Sequence, residues 1–188
     1  HEKNSREMHH SKRVSEISVQ IAEELELAPE TIRRIQIAGL MHDIGKIGIP
    51  DSVLNKPGKL TESEWQEIKK HSEKGYKILS SANEFSEIAD YVLQHHEHWD
   101  GKGYPQGLAA AAIMLEARII SLADAYDAMT SDRTYRNALP EETALAEIKR
   151  CSGSQFDPAV ADAFIRSWEK RKNSVSFGNE EDSCEKMY

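Results

Sequence analysis

A chain of 188 residues is long enough for one domain of ordinary size and too short for two comfortable ones. With 39% hydrophobic and 30% charged residues it is neither membrane-embedded nor composed like a disordered chain, and no stretch approaches the ~20 apolar residues a membrane helix needs. Acidic side chains number 32 against 24 basic ones, a net charge of −8, which excludes the basic footprint of a duplex nucleic-acid binder. A phosphate ligand would have to draw its positive charge from local residues or from metal. Cys151 and Cys184 lie far apart and support neither a disulfide framework nor a thiolate zinc site, so a reducing, cytoplasmic setting is the default. The chain shows no secretory signal and begins at His1 without a Met, which reads as a piece of something longer.

Apolar residues recur at helical spacing almost throughout, and no strand-like alternation of any length is present. A first helix is predicted from about Ser5 to Leu27, with Val14, Ile17, Ile21 and Leu25 on one face. Extended backward, that face passes through His10 and Glu7, while His9, Arg13 and Gln20 fall on the solvated side. Pro29 opens a second helix that arrives at His42-Asp43. Gly45, Gly48 and Pro50 then break the chain into a loop or short turns. Thr61 to Glu64 reads as a capping box for a helix carrying Trp65, Ile68 and His71, with Trp65 and Trp168 assigned to the core. A short helix around Tyr76 follows. The next carries Ile88, Val92 and the pair His95-His96. Asp100 to Gly107 is a loop, Ile113 to Thr130 a strong helix, and Pro140 starts a helix stopped near Gly153. Asp157-Pro158 caps the last helix. Residues 1–172 thus form one all-α domain, an irregular bundle of about seven to nine helices, and 173–188 a polar tail expected to fray.

His42-Asp43, His71, His95-His96 and Asp124 all fall on or at the ends of these helices. A lone inward histidine is more often a hydrogen-bonded core residue than a ligand. Convergence changes that, because burying several imidazoles and carboxylates unpaired costs several kcal/mol, roughly. A helical bundle that projects such groups inward is able to hold metal, and imidazole with carboxylate suits Fe, Mn, Zn or Co. Neighbouring residues on a helix diverge by about 100°, so a doublet such as His42-Asp43 serves two metals at once.

These residues carry a resemblance. His42-Asp43-Ile44-Gly45-Lys46 is similar to the signature of the HD metal-dependent phosphohydrolase superfamily. The run from His95 to Pro105, the block Asp124 to Ser131 with Arg133 and Arg136, and the segment Ser152 to Pro158 resemble, in order, the motifs of its HD-GYP subfamily. The likeness covers roughly Ser11 to Phe164. It implies a cyclic di-GMP phosphodiesterase with a metal centre in which His42, Asp43, His71, His95, His96 and Asp124 are ligands and Asp43 bridges. Lys46, Tyr104, Arg133 and Arg136 match positions that contact substrate, and Asp43 and Lys46 are the catalytic candidates. Iron or manganese is implied first, with Zn, Co, Ni and Mg as alternatives. Members sit behind sensor or receiver domains, some attached to membranes. Diguanylate cyclase domains and a second copy of the chain are the partner candidates.

One departure stands out. Members with three metals carry Glu four residues before the histidine matching His10, where this chain has Arg6, and Glu7 follows one residue later. A guanidinium offers a cation no oxygen donor. Two metals are therefore expected, with His10 and Glu7 as further ligand candidates and linear pGpG as the main product. Ala109 to Ala112 also departs from the family and reads as peripheral. Tyr104 is a candidate to stack on a base or bond a phosphate. Asp127 and Glu97 are candidates to orient the ligand histidines. Two rivals remain: a phosphohydrolase acting on another nucleotide or cyclic dinucleotide, and a degenerate module that binds without turnover.

Overall fold

The structure is a computed structural model that describes residues 2–132 and 137–181. Among these residues there is no strand, only one isolated bridge between Ser152 and Phe156. The elements run α1 (Glu2–Glu24), α2 (Pro29–Met41), a 3₁₀ segment (Ile44–Gly48), α3 (Asp51–Leu54), α4 (Glu62–Lys69) and α5 (His71–Leu79). A 3₁₀ turn (Asn83–Phe85), α6 (Ser86–Gln94), a 3₁₀ turn (Ala110–Ala112), α7 (Leu115–Thr130), α8 (Glu141–Cys151) and α9 (Pro158–Glu181) follow. The all-α bundle is as expected.

α1 lies against α2, α7 and α9, and α6 packs between α2, α5 and α7. Val14 and Ile21 of α1, Ile35 of α2, Val92 of α6, Ile119, Ile120 and Leu122 of α7, Ile148 of α8 and Phe164 of α9 are fully buried in one continuous core. The predicted termini have their physical causes in place. Pro29 occupies the first turn of α2, where a missing N–H costs nothing. Thr61 and Glu64 form a reciprocal capping box. Asp157 accepts the Ala159 N–H at 2.8 Å and so caps α9.

Four expectations are corrected. His71 does not continue the Trp65 helix: the chain breaks at Lys70 and His71 opens α5. That break turns Trp65 outward, and it is 42% exposed rather than core. Trp168 is half-buried at the core's edge, its indole N–H donating to Glu141 at 3.2 Å. α9 runs through Lys172 to Glu181, so residues 173–181 are helical; no proline interrupts the ladder, and each added residue gains a hydrogen bond.

Candidate metal centre

Four helix ends and two mid-helix positions bring the candidate ligands together. His42 is the C-cap of α2, and Asp43 stands between it and the 3₁₀ segment. His71 is the first residue of α5. His95 caps the C-terminus of α6 and His96 follows it, so the pair expected on this helix lies just past its last residue, Gln94. Asp124 projects from α7 and His10 from α1. Two glycines make this convergence feasible. A Cβ on Gly45 would stand 1.8 Å from the His71 carbonyl oxygen, so only glycine lets the segment after Asp43 lie on the start of α5. A Cβ on Gly103 would stand 2.3 Å from the His98 nitrogen, so the loop lies flat on the backbone that carries His96.

The donors fall into two groups. His10, His42 and Asp124 bring ligand atoms within 4.8 Å of one another, as do His71, His95 and His96. Asp43 spans them. Its Oδ2 is 3.4 Å from His42 Nε2 and 3.8 Å from His10 Nε2, and its Oδ1 is 3.6 Å from His71 Nε2. One carboxylate oxygen therefore faces each group.

The imidazoles are prepared for a cation. A backbone carbonyl only accepts, so each Nδ1 bonded to one carries a proton, and in the neutral ring Nε2 is then bare. His42 Nδ1 donates to Gly39 O at 2.8 Å, His71 Nδ1 to Ile68 O at 2.8 Å, and His95 Nδ1 to Val92 O at 2.6 Å. His71 Nε2 and His95 Nε2 then face each other at 3.5 Å with no proton between them. His42 Nε2 is buried without a hydrogen-bond partner. Such buried lone pairs are costly unless something positive takes them up. The donor set of imidazole and carboxylate, with no thiolate, suits a divalent ion of the Fe, Mn, Zn or Co type, so the residues present fit a metal.

The electrostatics divide the two groups: at His42 burial opposes charge, but the Asp43 and Asp124 carboxylates outweigh it and raise the ring. Burial, joined by the neighbouring histidines, holds His95 well below the usual imidazole range. Burial likewise pushes His96 down to about 4 and lowers His71. These three rings are neutral at neutral pH. At His10 burial opposes charge, but the bonds to Asp124 and Asp127 and the charges of Asp124 and Asp43 outweigh it and raise the ring to about 9. Asp43 is held low despite its burial by His42, Lys46 and His71. Lys46 Nζ lies 2.5 Å from Asp43 Oδ2, at the rim of the centre.

The orienting residues divide differently from expectation. Asp127 accepts from His10 Nδ1 at 2.6 Å, as anticipated. It is itself held by Arg13, through Nε at 2.5 Å and a terminal nitrogen at 3.1 Å, and by Ser131 Oγ at 3.3 Å. Arg13, though partly exposed, is thus tied to the centre's edge and not free on the solvated side. It stands three positions past His10, about 60° around the helix, within reach of a guanidinium. Glu97 orients no histidine. Its carboxylate accepts the backbone N–H groups of Gln106, Gly107 and Leu108 at 2.6, 3.1 and 3.0 Å, clamping the loop that holds Tyr104. Tyr104 stacks on His96, centroids 4.9 Å apart, and burial raises its phenol so that it stays protonated. Arg118 ties this loop to the last motif: it donates to Asp157 at 2.6 Å and lies over Trp99. Glu7 and Arg6 are exposed, and no bond of either to the centre is seen. Arg133 and Arg136 lie outside the described residues. Replacing Asp127 by Asn keeps the shape but removes the charge behind His10. Metal affinity, read by competition with a chelator, is expected to fall about 10–100-fold, the usual cost of losing an outer partner.

Comparison with known proteins agrees with this geometry. The family model described as "HD domain" matches residues 1–160. The chain belongs to the HD domain family. This HD domain is 47% identical over 156 residues to the cyclic di-GMP phosphodiesterase response regulator RpfG of Xanthomonas campestris pv. campestris, covering 82% of the chain and 41% of that protein. It is 45% identical over 161 residues to a cyclic di-GMP phosphodiesterase of Thermotoga maritima, covering 84% of the chain and 43% of that protein. The chain therefore spans about two fifths of the length of these curated relatives. Among solved structures, the HDG"Y"P protein Bd1817 of Bdellovibrio bacteriovorus shares the fold with a TM-score of 0.71 at 21% identity, over 87% of this chain and 52% of that one. No helix among the described residues is long and apolar enough to cross a membrane.

Proposed function

We propose that this HD domain hydrolyses a 3′–5′ phosphodiester of cyclic di-GMP, mainly to linear pGpG, using two divalent metals, iron or manganese first. The observation that carries the reading is Asp43, whose two oxygens face two separate groups of imidazole and carboxylate donors. His42, His10 and Asp124 would hold one ion and His71, His95 and His96 the other, with Asp43 between them. The relatives named above support the choice of substrate. Bound there, divalent metals lower the pKa of a water and polarise phosphoryl oxygens.

The chain's own residues do the rest. Lys46, poised on Asp43 at the rim, exchanges that carboxylate for a non-bridging phosphate oxygen of the substrate. Asp127 keeps the His10 ring turned inward, and Glu97 fixes the loop so that Tyr104 closes the side of the centre next to His96. Arg133 and Arg136 are the candidates for the remaining phosphate, where a guanidinium fork gives bidentate contact. Residues 1–172, which carry every candidate ligand, serve as the catalytic unit of a longer cytoplasmic signalling protein. Diguanylate cyclase domains and a second copy of the chain are its candidate partners.

The donor geometry does not depend on the bases, so other cyclic dinucleotides belong in the assay as competitors. Anaerobically purified protein is expected to carry about two ions per chain and to release pGpG well ahead of GMP. Three ions per chain, or GMP as the early product, would overturn the two-metal reading. Tight cyclic di-GMP binding with no turnover under iron or manganese would overturn the enzyme reading.

A further inference from the structure

Trp65 is one of few large apolar side chains left exposed, at 42%. The chain breaks at Lys70, and the indole lies at the surface instead of in the core. Lys69 stands between two rings, with Nζ 5.9 Å from the Trp65 centroid and 5.4 Å from that of Tyr104. Tyr104 in turn stacks on His96 at 4.9 Å. A continuous path of four side chains therefore leads from a candidate ligand histidine to an open indole. The surrounding lysines are neutralised: Lys70 and Lys74 share Glu67, and Lys56 pairs with Glu64. Lys69 has no carboxylate within ion-pairing distance among the described residues. In a chain of net charge −8, a half-buried cation held only by ring faces is the exception.

We infer that Trp65 and Lys69 form a guanine subsite, Trp65 stacking on a base of the substrate and Lys69 donating to its O6/N7 edge. The inference rests on the cyclic dinucleotide reading and adds a determinant of base choice to it. A base is joined to the phosphate by one sugar alone, so a platform that serves the scissile phosphate's own nucleotide must stand beside the metals, as this path does. Stacking accepts any base, since each has a π face. Lys69 supplies the preference. An ammonium only donates, guanine presents two acceptors on that edge, and adenine presents a donor there beside its N7.

The test uses the full chain with its metals and three probes that contain no phosphodiester: GMP, AMP and ribose 5-phosphate. Titration calorimetry is expected to show GMP bound more tightly than AMP, and both more tightly than ribose 5-phosphate. Trp65→Leu should weaken both nucleotides about tenfold, the scale of one lost base–aromatic stack, and leave ribose 5-phosphate unchanged. Lys69→Gln should abolish the difference between GMP and AMP, because an amide both donates and accepts. Trp65→Phe and Lys69→Arg, which keep a ring and a cation, should retain wild-type binding and so separate lost contact from lost folding. Wild-type affinities in Trp65→Leu and Lys69→Gln would overturn the subsite, and so would an equal loss for ribose 5-phosphate. Wild-type protein that turns over cyclic di-GMP yet binds GMP no better than ribose 5-phosphate would overturn the subsite alone. GMP binding that depends on Trp65 and Lys69, in a protein that never cleaves cyclic di-GMP, would uphold the subsite and sink the reaction.

Discussion

Replacing His42 and Asp43 together by Ala is expected to abolish turnover and strip most of the bound metal. The two residues are consecutive, but they act in different places. His42 Nε2 is a buried lone pair of the first donor group, and Asp43 is the carboxylate that both groups share. Without them the first group keeps only His10 and Asp124, and nothing anionic stands between the groups. Loss of an outer partner alone costs about 10–100-fold in affinity, so loss of a ligand and the bridge exceeds that. Asp43→Asn is the companion variant. It keeps the volume and removes the charge that offsets His42, His71 and Lys46, and it should show the same loss of metal in a chain whose helical spectrum is unchanged. Metal analysis giving full occupancy in either variant would remove Asp43 from the centre.

The ligand candidates were legible because their positions follow from helical phase. The stripe through Val14, Ile17 and Ile21, carried backward, puts His10 inward, and His10 does reach Asp124 and Asp127. His42-Asp43 was legible as a doublet that a helix arrives at, and His95-His96 as a doublet on a helix, although α6 ends at Gln94 and leaves that pair at its close. What periodicity could not give is reach. Arg13 lies off the apolar face yet bonds Asp127, because a long guanidinium spans the angle that phase alone treats as outward. The i,i+3 spacing from His10 was the available signal. Glu97 left no signal of its role, since its partners are backbone N–H groups of a loop that only the fold brings to it. The break at Lys70 was also hidden: Ile68 and His71 keep helical spacing across it, and neither Gly nor Pro marks the site. That one break moved Trp65 from the core to the surface. Arg133 and Arg136 were named from motif resemblance, and they remain outside the described residues.

Gly45→Ala is expected to do nearly as much damage without touching a ligand. The methyl would lie 1.8 Å from the His71 carbonyl oxygen, 2.5 Å from the Gly75 nitrogen and 2.8 Å from the His71 carbonyl carbon. All three are backbone atoms of α5, so no side-chain rotation relieves the overlap. Either the Ile44–Gly48 segment lifts off α5 or the start of α5 shifts, and both movements part Asp43 Oδ1 from His71 Nε2. The stability loss should reach or exceed the roughly 1–3 kcal/mol of an overpacked core. In a chain of this size that lowers the melting midpoint by several degrees, at about 2–4 °C per kcal/mol. Metal content and turnover should fall with it. Gly48→Ala, three residues on, is the control. Its methyl would meet only the Lys74 side chain, at 2.9 Å, and a flexible side chain gives way cheaply. A Gly45→Ala protein that melts like wild type and keeps its metal would mean that the approach of this segment to α5 is looser than the geometry requires, and that His71 and Asp43 are not held in register by it.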